Sequence, residues 1–100
     1  MFRHIVMFRF TPESTAGQRD DAIAQLRGLA AAIPDIRSLV VGTNSGPGPG
    51  NYDLILEADF DSADGFGRYG PHEEHQRVWK SILRPIVTDV AGIQFDVPGA

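Results

Sequence analysis

Apolar and polar positions alternate from residue 2 to residue 10. Phe2, His4, Val6, Phe8 and Phe10 share one face of the strand this predicts, and Arg3, Ile5, Met7 and Arg9 share the other. Apolar side chains on both faces imply a strand covered on both sides along much of its length. Thr11-Pro12 ends it. Thr15, with Gln18 three residues on, has the spacing of a capping box. Ile23, Leu26, Ala30 and Ile33 then recur at helical spacing, so a helix is expected from Thr15 to about Ile33, where Pro34 stops it. Residues 36–43 predict a second strand. Residues 44–51 carry three Gly and two Pro and predict a loop. The third strand, 52–60, places Tyr52, Leu54, Leu56, Ala58 and Phe60 on one face and Asp53, Ile55, Glu57 and Asp59 on the other. Ser62 is placed to cap a short helix running to about Tyr69. Gly70-Pro71 interrupts it, and a further helical stretch runs from His72 to about Leu83, with Val78, Trp79 and Ile82 as its core stripe, until Pro85. Residues 88–97 predict a fourth strand.

The order β-α-β-β-α-β is the split βαβ pattern. It predicts a single α+β, ferredoxin-like domain over residues 1–100, with a four-stranded antiparallel sheet and its helices on one face. The opposite sheet face has no third layer to cover it. An identical copy is the economical cover, which makes a homodimer the expected assembly. A chain of 100 residues, with a small core of its own, stands to gain from that burial.

Composition narrows the function. Nine Lys and Arg are scattered along a chain of net charge −4, so there is no basic stripe for nucleic acid. Cysteine is absent, which excludes disulfides and thiolate chemistry. The apolar stretch at the start is broken by Arg3, His4 and Arg9 and is too short for a signal peptide or a spanning helix, so a cytoplasmic protein with no membrane partner is expected. The glycine-rich loop lacks the Lys-Ser/Thr ending of a phosphate loop, and no haem, flavin or nicotinamide motif occurs, so no cofactor is expected.

Candidate chemistry lies with the three histidines and Tyr69. Imidazole takes and gives protons near neutrality. His72 and His75 follow Tyr69 across the Gly-Pro bend, and the bend must fold Tyr69 and His75 together if they are to cooperate. Each has a structural alternative: His72 as a helix cap, His75 on a solvated helix face beside Glu73 and Glu74, and His4 as a satisfied core group. His72-Glu73-Glu74-His75 is one residue short of the zinc motif HExxH, and no metal is expected. Arg68 is read as a surface charge, Trp79 as core or dimer interface, and the acidic residues 57–64 as a solvated edge with helix capping.

Four segments together resemble the stress-responsive A/B barrel family: HIVMFRF at 4–10, IPDIRSLVVGTN at 33–44, YDLILEADF at 52–60 and YGPHEEHQRVWKSILRPIV at 69–87. The resemblance implies subunits paired sheet to sheet into a dimeric barrel, many without assigned activity. One related plant polyketide cyclase closes a ring by an aldol-type condensation without a cofactor, using a Tyr and a His. The family's Tyr-x-x-His-x-x-His pattern falls on Tyr69, His72 and His75, and its strand histidine on His4. The resemblance therefore implies Tyr69 and His75 as the catalytic pair and His4 and His72 as substrate-binding residues. The family commonly writes His-Pro where this chain has Pro71-His72, a change that re-aims His72. The functional expectation is a dimer that binds a small apolar or polyketide-like molecule, with cyclase-like acid–base chemistry. The alternative is a non-enzymatic ligand-binding or structural dimer.

Overall fold

The computed structural model describes residues 1–99. Strands β1 (Phe2–Phe10), β2 (Ser38–Thr43), β3 (Leu54–Phe60) and β4 (Val87–Asp96) form one antiparallel sheet in the order β2-β3-β1-β4. This is the expected α+β, ferredoxin-like arrangement, with β1 and β3 central. Helices α1 (Ala16–Arg27), α2 (Leu29–Ala32), α3 (Ala63–Tyr69) and α4 (Glu73–Arg77) lie over one sheet face. The core fills that space. Phe8, Val41, Leu54, Leu56, Ala58 and Phe60 project from the sheet to meet Ala22, Leu26, Leu29 and Ile33 from α1 and the segment after it.

The capping box forms as its spacing predicts. The Gln18 backbone N–H donates to Thr15 Oγ1 at 3.1 Å, and the Thr15 backbone N–H donates to Gln18 Oε1 at 2.9 Å. The single helix expected over residues 15–33 is interrupted at Gly28, where one residue in ordinary helical geometry joins α1 to α2. Ser62 occupies the expected cap position of α3 with extended backbone, but its side chain makes no capping bond; its carbonyl instead accepts from the Gly65 N–H. β2 starts at Ser38 rather than residue 36 because the Ile36 N–H is spent on a turn to the Ile33 carbonyl. β3 starts at Leu54, since Asp53 turns its carboxylate onto the Phe10 N–H at 2.9 Å.

The second helical stretch changes character at Val78. Residues Val78–Leu83 form a π-helical turn, marked by the Arg84 N–H reaching back to the Trp79 carbonyl, and a short 3₁₀ turn, Arg84–Ile86, leads into β4. Among the described residues, no helix is long and apolar enough to cross a membrane.

Among the described residues, no layer lies above the other sheet face. Strand register places Ile5, Met7, Val40, Ile55, Ala91, Ile93 and Phe95 there, and Val40 and Ile93 are 59% and 60% exposed. Arg3 sits at one end of this face and pairs in bidentate fashion with Asp59, at 2.8 and 3.0 Å, while Ser38 Oγ donates to the same carboxylate. Asp59 is only 7% exposed, and the Arg3 guanidinium holds its carboxyl below the usual carboxylate range. The solvated acidic edge read from residues 57–64 is corrected at Asp59, which is buried and paired; Asp61 and Asp64 are exposed, with Asp61 bridged to Arg37. Arg68 is exposed, as read, and pairs with Asp35 at 2.9 Å.

Candidate functional site

Between the helices and the inner sheet face lies a hollow of about 210 Å³. Its floor is the middle of β1, where His4, Val6 and Phe8 alternate inward. Leu56 on β3 and Val90 on β4 flank them. Its roof is Leu26 and Leu29 on one side and Tyr69, His75, Val78, Trp79 and Leu83 on the other.

The π-helical turn shapes this roof. Residues five apart in an α-helix point about 140° away from each other. The wider i→i+5 turn brings Val78 and Leu83 onto the same side. Both are buried and both line the hollow. Trp79, expected in the core stripe, is half-buried at the same wall and packs against Phe8.

Three of the four candidate residues converge. The rings of Tyr69 and His75 lie 4.4 Å apart, centroid to centroid, and those of Tyr69 and His4 lie 5.8 Å apart. The Gly70-Pro71 corner produces this meeting. His72 accepts the Glu74 N–H on Nδ1 at 3.1 Å, as the cap of α4. That N–H would otherwise bond the Gly70 carbonyl in a continuing helix. The freed carbonyl instead accepts from His75 Nδ1 at 2.8 Å and from Gln76 Nε2 at 2.7 Å. His75 is thus folded back over Tyr69. His72, expected as a substrate-binding residue, does not line the hollow; its Nδ1 is used as a cap.

These bonds fix proton positions. A carbonyl only accepts, so His75 carries its proton on Nδ1 and leaves a lone pair on Nε2. Burial lowers the His75 pKa from its ordinary value, partly offset by the Gly70 bond, so the ring is a neutral base. His4 is pushed down to about 4 by burial and by the neighbouring His75. The Tyr69 hydroxyl, on a residue 2% exposed, is pushed up to about 12 by burial and stays protonated. Among the described residues, no fully enclosed side-chain oxygen or nitrogen lacks a partner. The Tyr69 hydroxyl and the two Nε2 atoms have no hydrogen-bond partner among the described residues, and all three belong to side chains that line the hollow. An apolar hollow with three such polar atoms can hold a small molecule and polarise one oxygen of it. Among the described residues no three His, Asp or Glu side chains gather closely enough to hold a metal ion.

The His4 shift has a consequence for stability. Its folded pKa, about 4, lies below its ordinary value of 6.5, so the unfolded chain binds more protons between those values. The stability held above pH 6.5 is therefore lost progressively as pH falls towards 4. Thermal unfolding followed between those limits should show a steeper fall for the parent chain than for a His4→Gln variant, which has no imidazole to charge.

Sequence reasoning missed Gln94, whose side-chain amide lies 2.8 Å from His4 Nδ1, and the Gly70 carbonyl. Gln94 is ninety positions from His4 and adjoins it only through the β1–β4 register. No local pattern in the chain announces that pairing.

A four-stranded antiparallel sheet, roofed on one face by helices over an apolar hollow lined by two imidazoles and a phenol, defines the class of ferredoxin-like α+β subunits. Within that class, the chain belongs to the stress-responsive A/B barrel domain (Dabb) family, whose profile matches residues 2–97. It is similar to a dimeric ferredoxin-like protein of unknown function from Thermobifida fusca, with 35% identity, a TM-score of 0.86, and coverage of 96% of this chain and 90% of the other. A dimeric protein of unknown function and ferredoxin-like fold from Bacteroides fragilis is 26% identical, with a TM-score of 0.81 and coverage of 96% and 95%. The hydroxynitrile lyase of Passiflora edulis shares the fold, with 20% identity, a TM-score of 0.88 and coverage of 99% and 94%. No functionally curated protein matches the chain.

Proposed function

We propose that this protein is a homodimer that binds a small apolar carbonyl compound in each subunit and performs cofactor-free acid–base chemistry on it. His75 Nε2 is the base that removes a proton next to the carbonyl. Tyr69 and His4 donate to the oxygen as negative charge develops on it. The observation that carries this reading is that Tyr69, His4 and His75, whose hydroxyl and Nε2 atoms have no partner among the described residues, line an otherwise apolar hollow. At about 210 Å³ the hollow is below the range of drug-sized sites, which points to a short or single-ring ligand rather than a long polyketide chain. The apolar outer sheet face supports the homodimer, as do the dimers formed by the Thermobifida and Bacteroides proteins. The same reading takes the protein to be cytoplasmic and without nucleic-acid or membrane partners, in keeping with its scattered cations and net charge of −4.

A ligand carrier without turnover is the second reading. One observation favours it: no hydrogen bond ties the Tyr69 hydroxyl to His75 as a ready proton relay among the described residues.

Binding is tested with acetophenone and 4-nitrophenol, followed by the fluorescence of Trp79, the sole tryptophan. Both should perturb it. Val90, 48% exposed at the mouth on an edge strand, offers the control. Val90→Phe should plug the hollow and weaken binding by at least about 10-fold while leaving the fold intact, since aromatic residues suit strands. If the parent responds to neither probe, or Val90→Phe binds equally well, the hollow is not a binding site.

A further inference from the structure

Two histidines face one hollow, and their outer nitrogens are held by partners of opposite sense. His75 Nδ1 meets a carbonyl, which can only accept. His4 Nδ1 meets the Nε2 amide group of Gln94, which can only donate. With the amide nitrogen facing Nδ1, His4 carries its proton on Nε2, the ring nitrogen turned away from Gln94.

We propose that Gln94 is a positioning residue that fixes His4 as a hydrogen-bond donor to the ligand's oxygen, so that the two histidines work as a matched donor and base. The ligand-oxygen part rests on the function proposed above; the proton positions do not. The strand register supports the pairing, because His4 and Gln94 are direct cross-strand partners and both project to the inner face. Gly92, the next inward position on β4, supports it as well. A Cβ built there would lie 3.7 Å from the Gln94 amide nitrogen, in ordinary contact, so the amide is placed beside position 92 on the inner face. Burial keeps His4 neutral at working pH, which a tautomer-based role requires.

The arrangement divides the labour. As His75 Nε2 takes a proton from the carbon beside the carbonyl, the electron pair of that C–H bond forms a C=C bond and the C=O π pair moves onto the oxygen, giving an enolate. The oxygen accepts hydrogen bonds from His4 Nε2–H and from Tyr69. The proton returns from His75 to carbon, or solvent exchanges it, and no oxidant or second reactant is needed.

The test is long-range ¹H–¹⁵N correlation spectroscopy of the imidazole rings near neutral pH. In the parent, His4 should show a bare Nδ1 and a protonated Nε2, and His75 the reverse. Gln94→Glu replaces the donor with an acceptor of nearly the same shape. It should move the His4 proton to Nδ1 and raise the titration midpoint of His4. Turnover is read as deuterium exchange into the methyl group of acetophenone. In Gln94→Glu, kcat should fall on the order of 10-fold with KM little changed, less than the loss from emptying a whole oxyanion site because Tyr69 remains. A protonated Nδ1 on parent His4 overturns the inference without recourse to any variant. So does an unmoved His4 proton in a folded Gln94→Glu protein. If both rings show the expected tautomers but the parent exchanges no deuterium, Gln94 still fixes the donor form and the catalytic reading is what fails.

Discussion

Replacing His75 by Ala should lower the rate of acetophenone methyl exchange by about 10²–10⁴-fold, the range that a positioned general base supplies. The fold should survive. His75 is half-buried at the wall of the hollow rather than in the core, and the Gly70 carbonyl keeps a donor in Gln76 Nε2 at 2.7 Å. Probe binding should persist, because the apolar lining stays in place and the side chain lost is one of twelve around the hollow. A large loss of kcat with binding retained is the signature of a base that acts on the reacting carbon. Tyr69→Phe should cost less, since His4 still donates to the oxygen. Unchanged exchange in a folded His75→Ala protein would remove His75 from the chemistry and leave the carrier reading standing.

Replacing Ile93 by Glu should convert the dimer to a monomer at micromolar concentration. Ile93, on the edge strand β4, lies directly across from Ile5 of the central strand β1, on the uncovered sheet face. It is 60% exposed in the single chain. If the second copy covers that face, the carboxylate is buried without a partner once in each subunit, at several kcal/mol each. The dissociation constant should rise on the order of 10³-fold or more. Arg3, on the same face, already spends Nε and Nη2 on Asp59, with Nε also 3.2 Å from Glu57, so drawing it to the new carboxylate would weaken an existing pair. Sedimentation velocity over a concentration series reads the outcome. A parent chain that is monomeric, or an Ile93→Glu chain that pairs as tightly as the parent, would place the subunit contact elsewhere or remove it.

The fold was legible in the sequence because periodicity carries it. Period-two alternation in residues 2–10 and 52–60, a capping box at Thr15 and proline stops at 34 and 85 are local signals, and local geometry obeys them. The meeting of Tyr69 with His75 was half legible: the Gly-Pro bend was visible, but its direction depends on which acceptor takes the Glu74 N–H. His72 takes it, and this same choice removes His72 from the site. The His4–Gln94 bond was not legible, since it joins the two ends of the chain through strand register alone. The burial of Asp59 was hidden for a similar reason. An acidic run looks solvated until an arginine from another strand is laid across it. The π-helical turn left no mark either, because Val78–Leu83 has the composition of any amphipathic helix.

That turn has a consequence for how the site could change over time. The hollow keeps Val78 and Leu83 on one wall only while the segment holds one residue more than a regular helix would. Loss of a single codon there would restore regular winding, swing one of the two away and alter the capacity of the chamber in one step, with every lining side chain otherwise retained. Gain or loss of one residue in this segment, rather than gradual exchange of large side chains for small, is thus the shortest route by which this scaffold could come to accept a guest of another size.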